Sequence, residues 1–317
     1  MGIMSPDSAD FASSDLYAVA SPLRLTLPST ERIRYEALAK ERDLVSDLAD
    51  DGLPISEVGE WAHEKHDRLR RYVDIARGVR KGFLGPDKAG ATYIELFSGP
   101  GRSRITKTDE LIDGSPLVAA MKAREGGAPF SDIFVADLEL PYPDAAAKRL
   151  SARGFSAKQF IGAAEDTVTR IVPLLNPYGL HFAFMDPFNL DSIPFSIIEN
   201  LARLKRMDIL IHVSVQDLNR NLRLYLKQEN SPLDRVAPGW RKAIDERDTD
   251  RKLRKKFFDH WLNLIRTLDM KPSQGIEIVT GSRNQPLYWL VLIARHDRAG
   301  EFWDKIRNVT PQGRLDL

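Results

Sequence analysis

Ten residues, Tyr93-Ile94-Glu95-Leu96-Phe97-Ser98-Gly99-Pro100-Gly101-Arg102, place an acid inside an apolar run and end that run on a glycine-proline-glycine loop. Glycine has no Cβ and accepts φ > 0, so such a loop at a strand end lets a nucleotide meet bare backbone N–H groups. The chemistry implied is ligand capture by the backbone at Gly99 and Gly101. Beside it stands Glu95, a carboxylate that burial in a strand makes expensive unless it has a use. A Glu on a partly solvated strand end is the plainer alternative. Asp137 follows the apolar run Ile133–Ala136. An acid at that strand tip can accept both hydroxyls of a ribose, or simply cap the loop. The usual gap from loop to acid is about 20 residues. Here it is wider, and the excess reads as an insertion from Arg102 to Asp113. Glu165 and Asp166 follow the third apolar run, where an acid also suits a helix start favoured by the dipole. In Asp113-Gly114-Ser115-Pro116, Ser115 reads as an N-cap and Pro116 as N1, and the same N-terminus can receive an anion.

Two further clusters lie at later strand ends. Met185-Asp186-Pro187-Phe188-Asn189 offers an acid, a carbonyl fixed by proline and an aromatic ring, a set able to accept hydrogen bonds from an amino group and to stack on a flat partner. An Asp-Pro turn leaving a strand is its bland equivalent. Ser214, Gln216, Asp217, Asn219 and Arg220 follow the fifth run; Gln216 and Arg220 are the candidates there for substrate contact, unless the segment is an ordinary loop and helix cap. His63-Glu64-Lys65-His66 is one residue short of the zinc pattern H-E-x-x-H, and reads as a solvated helix face. No Gly-Lys-Ser/Thr follows Gly99 to make a P-loop, and G-x-S-x-G is absent.

The elements that position these residues follow from periodicity. Residues 1–29 read as an unstructured arm. Residues 30–90 read as a helical extension. One helix runs from a Thr30 cap through Ile33, Leu38, Leu44 and Leu48 to Asp51-Gly52. A second starts after Ser56, carries Val58, Trp61, Leu69, Tyr72, Val73 and Ile75, and ends near Gly78. From residue 91 to 317, apolar runs alternate with helical patterns: Tyr93–Phe97, Ile133–Ala136, Gln159–Gly162, Phe182–Met185 and Ile209–Val215, separated by helices near 116–124, 142–152, 164–175 and 194–206. Such alternation predicts a parallel sheet covered on both faces. The last two runs, Ile276–Val279 and Leu287–Ala294, are separated by a short turn containing Gly281, Ser282 and Asn284, so one of them must run antiparallel. A long helix over Leu253–Leu268 precedes them and a short one over Glu301–Asn308 follows. Phe257, Phe258 and Trp261 read as core.

The totals exclude several classes. The chain of 317 residues is 43% hydrophobic and 29% charged, with a net charge of +1. No global field marks a nucleic-acid or membrane partner. A local basic surface, built from Arg251, Lys252, Arg254, Lys255 and Lys256 with Arg68, Arg70, Arg71, Arg77, Arg80 and Lys81, is either a solvated face or a phosphate track. The absence of cysteine excludes disulfides, thiolate metal sites, iron–sulfur clusters and cysteine nucleophiles, and suits a cytoplasmic setting. No run approaches the ~18 apolar residues of a membrane span, and no secretory signal is expected.

Seven strands with a terminal antiparallel pair distinguish this pattern from a plain dinucleotide fold, whose third glycine is also missing. Over residues 60 to 308 the chain resembles the class I S-adenosylmethionine (SAM)-dependent methyltransferases. More narrowly it resembles the three-Cys-motif partner proteins. The resemblance is carried by Trp61-Ala62-His63-Glu64-Lys65-His66 with Leu69 and Tyr72, Leu96-Phe97-Ser98-Gly99-Pro100-Gly101, Asp113-Gly114-Ser115-Pro116-Leu117 and Met185-Asp186-Pro187-Phe188. It implies an α/β, Rossmann-like fold and SAM as cofactor, held by Glu95, Phe97, Gly99, Gly101, Ser115, Asp137, Glu165 and Asp166, with no metal. It implies catalysis at Asp186, Pro187 and Phe188, directed at an amino group of a nucleic-acid base or another amine. The single proline after Asp186, where base-amino methyltransferases carry two, departs from that pattern. Expected partners are nucleic acid and a radical-SAM-type protein, whose cysteines give the family its name. A non-catalytic, SAM-binding adaptor for a radical enzyme is the second reading.

Overall fold

The structure, a computed structural model, describes residues 47–273, 277–280 and 286–307. The arm over 1–29, the helix from Thr30 through Leu44, and the turn carrying Gly281, Ser282 and Asn284 lie outside the described residues. The strands are β1 (Ser56–Val58), β2 (Ala91–Glu95), β3 (Arg102–Ile105), β4 (Leu111–Asp113), β5 (Asp132–Asp137), β6 (Ala157–Ile161), β7 (Leu180–Met185), β8 (Met207–Ser214), β9 (Lys271–Pro272), β10 (Glu277–Thr280) and β11 (Pro286–Ala294). The helices are α1 (Trp61–Ile75), α2 (Arg77–Lys81), α3 (Ser115–Glu125), α4 (Pro141–Ala152), α5 (Ala164–Ile171), α6 (Phe195–Leu201), α7 (Val215–Lys227), α8 (Pro232–Val236), α9 (Trp240–Ala243), α10 (Asp250–Thr267) and α11 (Asp297–Arg307).

The main sheet has the order β6-β5-β2-β7-β8-β11-β10, with β9 paired to the far end of β11. The five strands from β6 to β8 are parallel, and β11 runs antiparallel to both β8 and β10. It is the mostly parallel, Rossmann-like sheet with an antiparallel terminal pair that the alternation and the hairpin predict. All five residues of β2 are buried, as expected of a parallel strand covered on both faces. Successive side chains alternate between those faces. Ile94, Met185, Ile209 and Ile211 pack on one side with Val168 of α5, Ile198 of α6, Leu218 of α7 and Trp261 of α10. Tyr93, Phe184 and Leu210 pack on the other with Leu69 of α1, Leu117 of α3, Leu150 of α4 and Trp303 of α11.

The region ahead of β2 differs from its all-helical reading. Leu48 is not helical; it bridges to Pro54 around a turn. Ser56–Val58 is a strand, not the start of α1, and pairs parallel with Ser103–Ile105. The insertion between the glycine loop and the first crossover helix folds as the β3–β4 hairpin, so β1, β3 and β4 make a second, three-stranded sheet. Strands of three or four residues carry too little periodicity to be read locally; their pairing is decided by partners far along the chain. α1 stops at Ile75, and α2 takes the chain past Gly78. α6 covers only 195–201 of the helix expected over 194–206.

Tyr72 of α1 reaches across the sheet face and donates to Asp208 Oδ2 at 2.7 Å. Burial pushes the Asp208 carboxyl up to about 6, against that hydrogen bond. Tyr72→Phe removes the donor from a buried acceptor, at a cost of about 1–3 kcal/mol. The cost is largest where the acid is ionised, so urea unfolding should show a greater loss at pH 8 than at pH 5. Equal losses would contradict it.

Candidate functional site

The sheet order changes direction between β2 and β7, and in open α/β sheets ligands collect outside the carboxyl ends of strands at such a point. Two periodicities bring the polar residues together there. On β2, Tyr93 and Glu95 share a face; on β7, Phe184 is followed two residues later by Asp186; on β8, Leu210 is followed by His212. On α1, Lys65, Leu69 and Tyr72 fall at i, i+4 and i+7 and all are buried, so Lys65 occupies a core position of the helix. The helix lies on the sheet face that carries the three polar groups.

Lys65 Nζ donates to Asp186 Oδ2, and His212 Nδ1 lies 2.5 Å from Asp186 Oδ1. Burial raises the Asp186 carboxyl, and the charges and hydrogen bonds of Lys65 and His212 more than offset it, holding the acid well below the usual carboxylate range. Asp186 is thus an anion with both oxygens occupied from within the protein, though its side chain keeps 22% of its exposure. Burial lowers His212 despite the carboxylate beside it. The neutral ring then donates from Nδ1 and leaves Nε2 without a hydrogen-bond partner, between Phe184 at 5.4 Å and Tyr288 at 5.5 Å between ring centroids.

Glu95 is fully buried and accepts from Tyr93 Oη at 2.6 Å and from Ser115 Oγ. Burial pushes its carboxyl up to about 8, against those two hydrogen bonds. At neutral pH it therefore keeps its proton in the ligand-free protein. Gly99 (φ +54°) and Gly101 (φ +80°) both need the left-handed region. A Cβ at Gly101 would strike Leu117 Cδ1 at 2.9 Å and the Ala146 backbone at 3.0 Å, whereas one at Gly99 would meet nothing nearer than Ser56 Oγ at 3.9 Å. The loop is therefore packed at one glycine and open at the other. Asp137 fixes the open end, accepting from Gly99 N at 2.9 Å and from Glu139 N at 3.1 Å. Burial lifts its carboxyl to about 6.

The other predicted residues fall around this centre. Phe97 is half-buried against the core, and Pro187 is buried. Phe188 is 93% exposed, next to an acid that is itself tied down. Glu165 accepts from Ser196 Oγ at 2.5 Å and pairs with Arg235 at 2.9 Å, while Asp166 is exposed. Ser214 is the N-cap of α7, accepting from Asp217 N at 3.1 Å, so the segment after β8 is a helix start; Gln216 is half-buried there and Arg220 exposed. Lys65 and His66, read from sequence as solvated, are buried, and sequence reasoning gave neither Lys65 nor His212 a role. The signal was present for Lys65, which is in phase with Leu69 and Tyr72. For His212 it was a lone histidine inside an apolar strand. Five of the eleven basic residues weighed as a phosphate track pair with acids: Arg68 with Glu64, Arg71 with Asp67, Arg77 with Asp74, Lys255 with Asp259 and Lys256 with Asp248. Among the described residues no helix is long and apolar enough to cross a membrane.

No protein-family model and no curated protein matches the chain. Among solved structures it is similar to cofactor-bound Rv0187 from MTB, at 12% identity and a TM-score of 0.41 over 86% of this chain and 93% of that one. It is similar to DszA carbon methyltransferase at 9% identity and 0.43, over 74% and 54% of the two chains. It is also similar to M. jannaschii TYW2 in complex with AdoMet, at 8% identity and 0.38, over 75% and 76%. Likenesses this distant leave the reaction to be argued from the site itself.

Two expectations follow. A buried acid with a raised folded pKa favours folding below its unfolded value, and that contribution is lost as pH rises. For Glu95 the window runs from 4.5 to about 8. Glu95→Gln should therefore melt higher than wild type at pH 8 and at the same temperature at pH 4, in the absence of ligand; a lower melting point at pH 8 would refute this. Lys65→Met leaves Asp186 with one partner and should cost about 3 kcal/mol in denaturant unfolding. A neutral result would show that the pair contributes nothing to the fold.

Proposed function

We propose that the chain is a SAM-dependent methyltransferase that acts on an amino group, of a nucleic-acid base or of another amine. One observation carries this reading: a fully buried carboxyl group, Glu95, lies in the central strand directly below a glycine loop whose Gly99 leaves room where a Cβ would stand and whose N–H is held by Asp137. A fold does not keep such an acid at that position for stability, since burial works against its charge. The residues suit SAM. Glu95, with Ser115 behind it, would take the α-amino end; Gly99, Gly101 and Phe97 would line the loop; Asp137 would take the ribose; Glu165 and Asp166 would flank the adenine. SAM supplies a sulfonium methyl open to in-line displacement, and the protein's share is to hold the nucleophile collinear and screen the change in charge.

On the acceptor side, Asp186 keeps spare lone pairs for the N–H groups of an amine. Held as an anion by Lys65 and His212, it orients and polarises the amine; so acidic a carboxylate is a poor base. Pro187 fixes the following carbonyl, exposed Phe188 offers a face for stacking, and Gln216 and Arg220 stand at the rim. The four motifs that resemble the three-Cys-motif partner proteins support a radical-SAM-type enzyme as partner. The adaptor reading draws on a specific observation too: both oxygens of Asp186 are engaged within the protein.

Calorimetry separates the readings. An arriving ammonium stabilises the Glu95 carboxylate, so S-adenosylhomocysteine binding at pH 7 should release protons. The apparent enthalpy should then differ between phosphate and Tris by their ionisation heats, and the difference should vanish in Glu95→Gln. No binding to wild type refutes the cofactor assignment. Binding without label transfer from labelled SAM to any nucleic-acid, protein or small-amine fraction favours the adaptor.

A further inference from the structure

Pro100, the middle residue of the glycine loop, has no N–H, so its carbonyl is its one backbone hydrogen-bonding group. Arg149 of α4 takes it: Nη1 donates to Pro100 O at 2.7 Å and to Pro54 O at 2.8 Å. Nη2 donates to Leu53 O at 3.1 Å and Asp51 Oδ1 at 2.8 Å, and Nε donates to Asp51 Oδ2 at 2.7 Å. All five donors of a nearly buried guanidinium are used, three of them on backbone carbonyls. The hydrogen bond from Arg149 holds the Asp51 carboxyl down at about 2, so the clamp persists across the physiological range.

The segment clamped in this way also touches the loop's far side. β1 begins two residues after Pro54 and pairs with β3, which leaves the loop directly after Gly101; Ser56 Oγ meets Ser103 Oγ at 2.9 Å. Asp50 and Asp47 pair with Arg102 and Arg104 of the same strand. Chain neighbours aside, Ser56 Oγ is the nearest atom, at 3.9 Å, to where a Cβ on Gly99 would stand. The loop ends are fixed by the sheet and α3 through Asp137 and through Gly114 N, which donates to Gly101 O at 2.8 Å.

We infer that residues 47–58 are a working part of the nucleoside site: a strap, coupled to the glycine loop through Arg149 as positioning residue, that sets the affinity for the adenosyl ligand. The inference rests on the cofactor reading above and extends it to a segment and a side chain outside the recognised motifs. Coupling is reciprocal: whatever the strap contributes to ligand binding, the ligand returns to the strap. The test uses the full chain and S-adenosylhomocysteine. Arg149→Gln and Asp51→Asn should each weaken binding at least about tenfold, a typical coupling magnitude. Tyr72→Phe, which loosens the opposite end of α1, should bind as wild type does. Hydrogen exchange should show the ligand slowing exchange over residues 47–58 in wild type, and not in Arg149→Gln. Asp51→Asn keeps the side-chain shape and serves if Arg149→Gln fails to fold. Wild-type binding with unchanged affinity in both variants, or with unchanged exchange over 47–58, overturns the strap and leaves the cofactor reading standing. Absence of binding to wild type overturns both.

Discussion

A carboxylate cannot be stripped of water without company, and the way this fold supplies that company organises its centre. Asp186 leaves the fourth parallel strand into a region closed by α1, and Lys65 and His212 approach it from two different elements. Two ions removed from water repay the cost only when geometry and additional hydrogen bonds are good. The pair therefore demands that α1 lie at one height on the sheet. Leu69, Tyr72 and Val73 follow from that placement, and so does the buried face of α1 against α3 and α11.

Glu95 meets the same difficulty by a different route. With no cation bonded to it, it is given two hydroxyls and retains its proton. The Asp186 charge adds to the upward push on the Glu95 carboxyl. One is ionised and fully engaged; the other is neutral and ready to ionise when a positive group arrives. That division lets the ligand-free protein remain folded without two unbalanced negative charges under one helix.

The sheet was legible in the sequence because long apolar runs alternating with helical periods leave few topologies, and the short turn before Leu287 demanded an antiparallel strand. The glycine loop and the acids at strand tips were legible because residue type alone restricts what they can do. The strap was not: Ser56–Val58 is too short to show a period, and its partner strand lies some way along the chain in a segment that read only as an insertion. The role of Lys65 was hidden because a lysine beside Glu64, His66 and Arg68 looks like solvent-facing chemistry. Only its phase with Leu69 and Tyr72 argued otherwise. Arg149 was missed because three of its four partners are backbone carbonyls and the fourth, Asp51, lies far back along the chain, and no sequence pattern marks either.

The position of the final strand has a consequence for how the chain is made. β11 is inserted between β8 and β10 and pairs along its length with Asp208–Ser214. A ribosome delivers β8 long before residues 286–294, so an apolar edge that includes Ile209, Ile211 and Val213 stands unpaired while some 70 further residues are synthesised. Helices α7 to α10 are translated during that interval and cover one face, yet they cannot satisfy the open backbone ladder. The nascent protein is thus most prone to self-association in this window, and a premature stop after α10 would leave β8 exposed where a stop within α11 would leave it paired.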